Sequence, residues 1–474
     1  MFEEKLQELE PIFYPKSIAV VGTSTNERKT GSRWVKGLIS AGFPGPIYPV
    51  GSGGGSIWGL KIFPNLRLVP GEVDYVIVSI PRQYVLELLD DCAAKKVKAV
   101  HFFTAGFSET GKLQWRELEE QMVRKARQNG IHIIGPNCIG VYCPDRKIPY
   151  GPSPRIGVSG SVGFISQSGG IADKLIQIGV ARHINYSKGV SFGNGIDLDA
   201  SDFLQYLAAD PKTAIVGAYL EGTRNGRRLF ATMKEVTKVK PLVIWKGGRT
   251  KVGAEAAMSH TGSLASSATV WSVAIEQSGA IEVHNLEELA DSLLVFQQLG
   301  CWRGNNVAII GGFGGGGGGI SVSASDACME NGLKLPPLSS KTREKLTNLL
   351  GEVGSILRNP VDVSQAIGRG LSNLFEAIES VMEDPIIELV LIQEDMDILL
   401  RYFSWEEAKR INDFFIELRN RQNKPLVAVL PLDSFEPERL DIEQILLKAS
   451  IPIFSTMERA AKAIARINRY FSSK

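Results

Sequence analysis

The chain has 474 residues, more than a single core usually holds, so roughly two to four domains are expected. Its 53 basic and 51 acidic side chains leave a net charge of +2, which argues against a broad nucleic-acid footprint while allowing a local anion site. Hydrophobic content of 44% is that of an ordinary globular protein, and no apolar run approaches the ~20 residues that span a bilayer.

The amino-terminal stretch MFEEKLQELEPIFYPKS is acidic and amphipathic, unlike a secretory signal or a transit peptide. Cysteines are few and scattered (Cys92, Cys138, Cys143, Cys301, Cys328), which fits a reducing compartment better than a disulfide framework. A cytoplasmic protein is expected. Cys138 and Cys143 lie close in sequence, but no second pair accompanies them, so packing and not a metal site is the reading.

SIAVVG (17–22) is a buried-strand run that ends in a turn, and WVKGLISAG after it reads as helix. PIYPV (46–50), VDYVIVSIP (73–81), KAVHFFTAGF (98–107) and IHIIGPN (131–137) repeat the pattern, with helix-like segments between them. Strands alternating with helices imply a parallel sheet covered on both faces. This first domain is expected to cover 1–148. A second series follows over 149–302, with strand runs SVGFISQSGG (161–170), INYSKGVSFG (184–193), TAIVGAYLEG (213–222), KPLVIWKGG (240–248) and AIEVHN (280–285). The third, 303–474, holds NNVAIIGGFGGGGGG (305–319), IIELVLIQED (386–395), KPLVAVLP (424–431) and IPIFST (451–456). The last two series close alike, each on a strand, a polar turn and a helix, which suggests two copies of one small α/β domain.

Several turns at strand ends could hold anions. In VVGTSTNERKTG, Gly22 ends a strand, Ser24 follows it, and Lys29 sits in the loop before a helix. A glycine turn feeding a helix exposes backbone N–H groups and the positive end of the helix dipole. The stretch is not a full GxGxxG, so an empty Rossmann turn reads it as well as a nucleotide-like ligand does. Ile80–Pro81 and the TAGF turn at 104–107, with Ala105, Gly106 and Phe107, end neighbouring strands at the same carboxyl edge. FISQSGGIADK (164–174) places Ser168, Gly169 and Gly170 at a helix start, where a plain N-cap is the competing reading. The glycine run 314–319, with Gly314 and Gly315, permits close approach of backbone to an anion, or plain mobility.

AAMSHTGSLASS (256–267) carries a lone histidine among small residues, and the segment is expected to be an exposed loop. An imidazole is largely neutral at pH 7 and so is a competent nucleophile, and small neighbours leave room for a group on its ring nitrogen. Glu221, at the strand end AYLEG, could hydrogen-bond the other nitrogen of His260 and set its tautomer. An inert surface histidine is the alternative.

GPNCIG (135–140), ISQSGG (165–170), SFGNGIDLD (191–199), YLEG (219–222), KGGRT (246–250), SHTGSLA (259–265) and NPVD (359–362) together resemble the NDP-forming acyl-CoA synthetases, relatives of succinyl-CoA synthetase. The resemblance covers nearly the whole chain. It implies an α/β protein with a CoA-binding Rossmann-like domain followed by two flavodoxin-like, succinyl-CoA-synthetase-type domains. Coenzyme A would meet Gly22, Ser24, Lys29, Ile80, Pro81, Ala105, Gly106, Phe107 and Asn137. Phosphate and the acyl group would meet Ser166, Gln167, Ser168, Gly169, Gly170, Gly314 and Gly315. His260 would be phosphorylated in turnover with Glu221 supporting it, and no metal site is implied on this chain. The implied reaction interconverts acyl-CoA, phosphate and ADP with a carboxylic acid, CoA and ATP. The three α/β series leave no segment for an ATP-grasp domain, so the resemblance implies a separate ATP-grasp β subunit, an α2β2 assembly, and ADP/ATP with Mg2+ on that partner. No nucleic acid or membrane partner is implied. Two stretches depart from the family: the GFGGGGGG run and the glycine-rich 51–55, where relatives often have a lysine-bearing loop. A non-catalytic CoA-responsive regulator that kept the fold is the alternative in another class. A nicotinamide oxidoreductase would need a full dinucleotide fingerprint and an acidic ribose ligand.

Overall fold

Continuous apolar runs of four to six residues bounded by glycine become central strands, because a parallel sheet is covered by helices on both faces. The computed structural model describes residues 2–153, 156–261, 267–311, 317–351, 358–364, 369–422 and 424–472. They form two compact units, Met1–Leu293 and Leu294–Lys474.

The first unit holds two sheets. One comprises β1 (Ile18–Val21), β2 (Ile47–Val50), β5 (Tyr75–Val78), β6 (Ala99–Phe102) and β7 (His132–Ile134), all parallel, in the order β2-β1-β5-β6-β7. A two-stranded ribbon, β3 (Ser56–Ile57) and β4 (Leu60–Lys61), stands beside it. From β1 the chain goes to β2 on one side and then crosses to β5 on the other. The crevice beyond the carboxyl ends of β1 and β5 is therefore the switch point, where open α/β sheets bind ligands.

The second sheet runs β13-β12-β11-β9-β10-β8. Its strands are β8 (Gly140–Tyr142), β9 (Ser159–Ser166), β10 (Tyr186–Ser191), β11 (Ile215–Leu220), β12 (Leu242–Lys246) and β13 (Ile281–Val283). All are parallel except β8, an antiparallel edge strand on β10. The short run GVY was not read as a strand from sequence, and the chain already enters the second sheet there. The switch point of this sheet lies between β9 and β11.

The two sheets are fastened through the amino-terminal helix Phe2–Phe13, which packs on the helix Ala200–Ala209. Phe13 stacks on Tyr206 with centroids 4.5 Å apart, and the Tyr206 hydroxyl donates to Glu10 at 2.6 Å. Beside them Lys188, fully buried on β10, donates to Asp210 at 2.7 Å and lies over the Tyr14 ring at 5.0 Å.

The second unit repeats the plan, with β15-β14-β16-β17-β18 all parallel. These are β14 (Val307–Gly311), β15 (Val361–Asp362), β16 (Leu389–Gln393), β17 (Leu426–Val429) and β18 (Ile453–Phe454). The NPVD motif supplies its edge. Asn359 accepts from the Ile309 amide at 3.1 Å and donates to the Val307 carbonyl at 2.6 Å, extending the pairing with a side chain before β15 takes over.

Candidate active site

The first switch point is built from glycines that let backbone meet backbone. Gly22, with φ +101°, follows β1, and a Cβ there would lie 2.3 Å from the Ser79 carbonyl oxygen. A Cβ at Gly31, in the first turn of the helix Thr30–Ala41, would meet the Gly22 carbonyl at 2.4 Å, and one at Gly51 would meet that of Thr23 at 1.9 Å. These three positions do the work of a glycine fingerprint although they are not adjacent in sequence. Gly31 and Gly51 were missed because the contacts depend on which strands pair. Ser24 accepts from the Asn26 amide at 3.2 Å, and its own amide and carbonyl bond the buried Ser32 hydroxyl. Lys29 is exposed at the N-cap of that helix, with no side-chain cap bond.

At the second switch point the strand end Ser166 folds back on itself: its hydroxyl donates to the Ser168 carbonyl at 2.7 Å and accepts the Ser168 amide at 3.1 Å. Ser168 caps the helix Gly169–Arg182 through the Ile171 amide. Gln167 turns the other way. Its Oε1 accepts the amides of Glu221 and of Gly222, the latter at 2.8 Å, and so ties the end of β9 to the end of β11. Glu221 is thus held at the switch point, 7% exposed, with the Tyr219 hydroxyl donating to its Oε1 at 3.1 Å.

The two sheet edges converge on one cleft of about 450 Å³. Ile80, Pro81, Ala105 and Asn137 line it from the first sheet, and Ser168, Gly169 and Gly170 from the second. Its walls touch directly, since a Cβ on Gly169 would lie 2.9 Å from the Ile139 side chain. Thr104 fixes the first wall: its hydroxyl donates to the Ile80 carbonyl at 2.7 Å, and its carbonyl accepts the Asn137 amide at 3.0 Å. Asn137 adopts φ +59° after Gly135–Pro136. The SFGNG loop wraps this turn, and Gly193 there leaves no space for a Cβ, which would lie 2.3 Å from the Asn137 carbonyl. A helix start with orphan N–H groups facing a cleft of this size suits a phosphorylated ligand. The donors present are backbone amides, hydroxyls and an amide side chain. Among the described residues no group of three His, Cys, Asp or Glu side chains gathers as metal ligands.

The other predicted residues fall elsewhere. The Phe107 ring lies in the core, fully buried, and not in the cleft. The amides of Gly106 and Phe107 both donate to the Glu109 carboxylate, at 2.5 and 3.0 Å, so that turn is already engaged with an anion of the chain itself. Glu109 also accepts from Asn194 at 2.7 Å, which links the turn to the SFGNG loop. His260 belongs to the helix Lys251–Thr261, where an exposed loop was expected, and its side chain lies outside the described set. Thr250 accepts the Gly253 amide at 3.1 Å at the start of that helix, which packs against Ser108–Thr110. Gly314 and Gly315 lie outside the described residues.

A cleft shared by a Rossmann-like edge and a flavodoxin-like helix start defines a chain of the CoA-ligase class. Residues 16–144 match the CoA binding domain family and 159–296 the succinyl-CoA ligase like flavodoxin domain. The α subunit of acetate–CoA ligase [ADP-forming] I from Pyrococcus furiosus is 33% identical, over 98% of this chain and 97% of that one. Acetate–CoA ligase [ADP-forming] I from Archaeoglobus fulgidus is 33% identical over 98% of this chain but only 64% of its own length. Among solved structures, the dinucleotide-forming acetyl-coenzyme A synthetase 1 of Ca. Korarchaeum cryptofilum, in complex with phosphate and ADP, superposes with a TM-score of 0.86 at 31% identity, covering 98% of this chain and 96% of that one. The chain belongs to the ADP-forming acetate–CoA ligase family, in the form of its α subunits. It is an acid–thiol ligase with a CoA-binding domain followed by a succinyl-CoA-ligase-type flavodoxin domain. No helix among the described residues is long and apolar enough to cross a membrane.

Proposed function

We propose that this chain carries the acyl-transfer half of an ADP-forming acyl-CoA synthetase, over domains 1–148, 149–302 and 303–474. Coenzyme A occupies the cleft between the two sheets of the first unit. Phosphate bound at the helix start Ser168–Gly170 attacks the thioester, giving acyl phosphate and free CoA. His260 then takes the phosphoryl group, and Glu221 holds the ring from the other nitrogen. Gly314 and Gly315 are proposed as further phosphate-contacting residues. The nucleotide and Mg2+ sit on an ATP-grasp β subunit in an α2β2 cytoplasmic assembly. The Archaeoglobus relative supports that partner, because this chain spans only 64% of it. Positioning and fixed dipoles supply most of the catalysis in such transfers.

The observation that carries the reading is the cleft that brings Ile80, Ala105 and Asn137 of one sheet to the capped helix start of the other. The test combines the chain with its β partner, acyl-CoA, ADP and phosphate and measures ATP. Wild type is expected to form ATP and an acid-labile phosphate on the chain, and His260→Ala neither. ATP formation by His260→Ala at the wild-type rate overturns the role of His260.

A further inference from the structure

Glu221 is tied down twice, once by its backbone and once by its side chain. Gln167 donates its amide to the Tyr219 carbonyl at 3.0 Å and accepts the Glu221 and Gly222 amides on Oε1. Those bonds fix the backbone of this strand end against the turn that starts the helix Gly169–Arg182. The carboxyl is held separately, by the Tyr219 hydroxyl, which donates to its Oε1 at 3.1 Å. Residues two apart at a strand end share one face of the sheet, so ring and carboxyl stand side by side. The ring is fixed in turn by Trp245, its register partner on β12, which meets it at an angle of 64° with centroids 4.6 Å apart. Packing alone does not account for the hydroxyl, since a phenylalanine would fill the same half-buried space. The extra oxygen has to be accommodated: a Cβ on Gly247 would lie 2.4 Å from it. Gly247 is outside the left-handed region, so its backbone does not call for glycine, whereas the room for the phenol does. Burial raises the phenol above its ordinary range, so the oxygen keeps its proton and donates.

In the transfer to His260 a neutral imidazole nitrogen attacks the phosphorus of acyl phosphate. The N–P bond forms, the P–O bond to the acyl oxygen breaks, and the departing carboxylate keeps the electron pair. The second ring nitrogen retains its proton as the ring becomes cationic, and that N–H needs an acceptor at a fixed place. A glutamate side chain turns about three bonds, so a tied backbone alone does not set where its oxygens point. A hydrogen bond from a rigid ring does, and it removes a reorganisation that would otherwise fall on the reaction step. We propose that Tyr219 is a positioning residue of this transfer: its hydroxyl sets the orientation of the Glu221 carboxyl that receives the imidazole N–H. The proposal rests on the phosphohistidine reading above.

The test uses the full chain with its partner, as wild type, Tyr219→Phe, Tyr219→Leu, Glu221→Ala and the double variant Tyr219→Phe/Glu221→Ala. Acyl-CoA and phosphate are supplied without nucleotide, and rapid quenching gives the rate at which acid-labile phosphate appears on the chain. Steady-state ATP formation gives kcat and KM, and CoA binding checks the fold. Tyr219→Phe is expected to slow phosphorylation and kcat by roughly tenfold or more while KM for acyl-CoA and phosphate stays level. In the Glu221→Ala background the same change should add nothing, because the hydroxyl then has no carboxyl to orient. A wild-type rate in Tyr219→Phe with only Tyr219→Leu impaired overturns the proposal and assigns the ring to packing. An equal loss in both backgrounds also overturns it, since Tyr219 would then act apart from Glu221. Absence of acid-labile phosphate on the wild-type chain, or a wild-type rate in Glu221→Ala, sinks the phosphohistidine reading or the role of Glu221, and this proposal with it.

Discussion

Glu394 should make the second unit lose stability as pH rises, and replacing it by glutamine should remove that loss. The residue directly follows β16 and is 1% exposed. Its Oε1 accepts from Asn412 at 3.0 Å, while its Oε2 has no partner among the described residues. Burial, only partly opposed by that bond, pushes the carboxyl from 4.5 up to about 8. The folded chain then holds a proton that the unfolded chain has released, so stability is full below about pH 4.5 and is lost as pH rises through about 8. At ~1.4 kcal/mol per unit, the loss is about 3 kcal/mol by pH 7 and approaches about 5 above pH 8. Glu394→Gln keeps the acceptor for Asn412 and cannot ionise. Its amide can also donate, and Asn412 Oδ1 is an acceptor without a partner among the described residues. A chain of several domains does not unfold in one step, so the opening of β16 and β17 is best followed by amide hydrogen exchange on peptides from those strands. The variant should be nearly level with wild type at pH 5 and more protected at pH 8, by roughly 4 kcal/mol. A gap that stays constant between those pH values refutes the reasoning, for it would mean that Glu394 titrates alike in both states.

Two other changes test the first unit. Gly22→Ala forces a Cβ to within 2.3 Å of the Ser79 carbonyl at φ +101°, so CoA affinity measured by calorimetry should fall by about tenfold or more, and an unchanged Kd would remove Gly22 from the site. Asp210→Ala leaves the fully buried Lys188 ammonium without its carboxylate and should cost about 3–5 kcal/mol in the opening of β10 read by amide hydrogen exchange, with part recovered when Lys188→Met is added. A single Asp210→Ala change that costs less than about 1 kcal/mol would show that the ammonium finds another partner.

Most strands were legible because each is an apolar run ended by glycine or a turn, and the burial of both faces leaves no alternation to misread. The edges were not. Gly140–Tyr142 and Val361–Asp362 are too short to carry a period, and they are strands only because β10 and β14 offer them a partner. The segment around His260 misled for a different reason. Its glycines and serines suggest a loop, yet Ala254, Glu255, Ala256 and Ala257 are good helix formers behind a threonine cap, and they prevail. At the site, the turns SQSGG and TAGF could be seen, but what each amide would bind could not. Glu109 lies two residues beyond Phe107 and takes the amides that looked available. Gln167, read as one member of a phosphate turn, spends its carbonyl oxygen on the backbone of Glu221 and Gly222. Such long-range bonds depend on strand order, which residue spacing does not encode.

The repeated fold makes the contrast between Glu221 and Glu394 instructive. Each follows the strand that pairs across the switch point with the first long strand of its sheet, β11 on β9 and β16 on β14. The backbone therefore delivers a carboxyl to the same place twice. What differs is the company. Glu221 has a phenol on its oxygen and a glutamine on its amide, whereas Glu394 has Asn412 and a bond from its own amide to the Val429 carbonyl. Burial dominates at Glu394, which joins a helix to a strand and keeps its proton up to about pH 8. The topology fixes the position, and the residues around it decide what holds the carboxyl there. On the proposed role of Glu221, exchanging Tyr219 or Gln167, and not only Glu221 itself, should therefore alter the phosphoryl transfer.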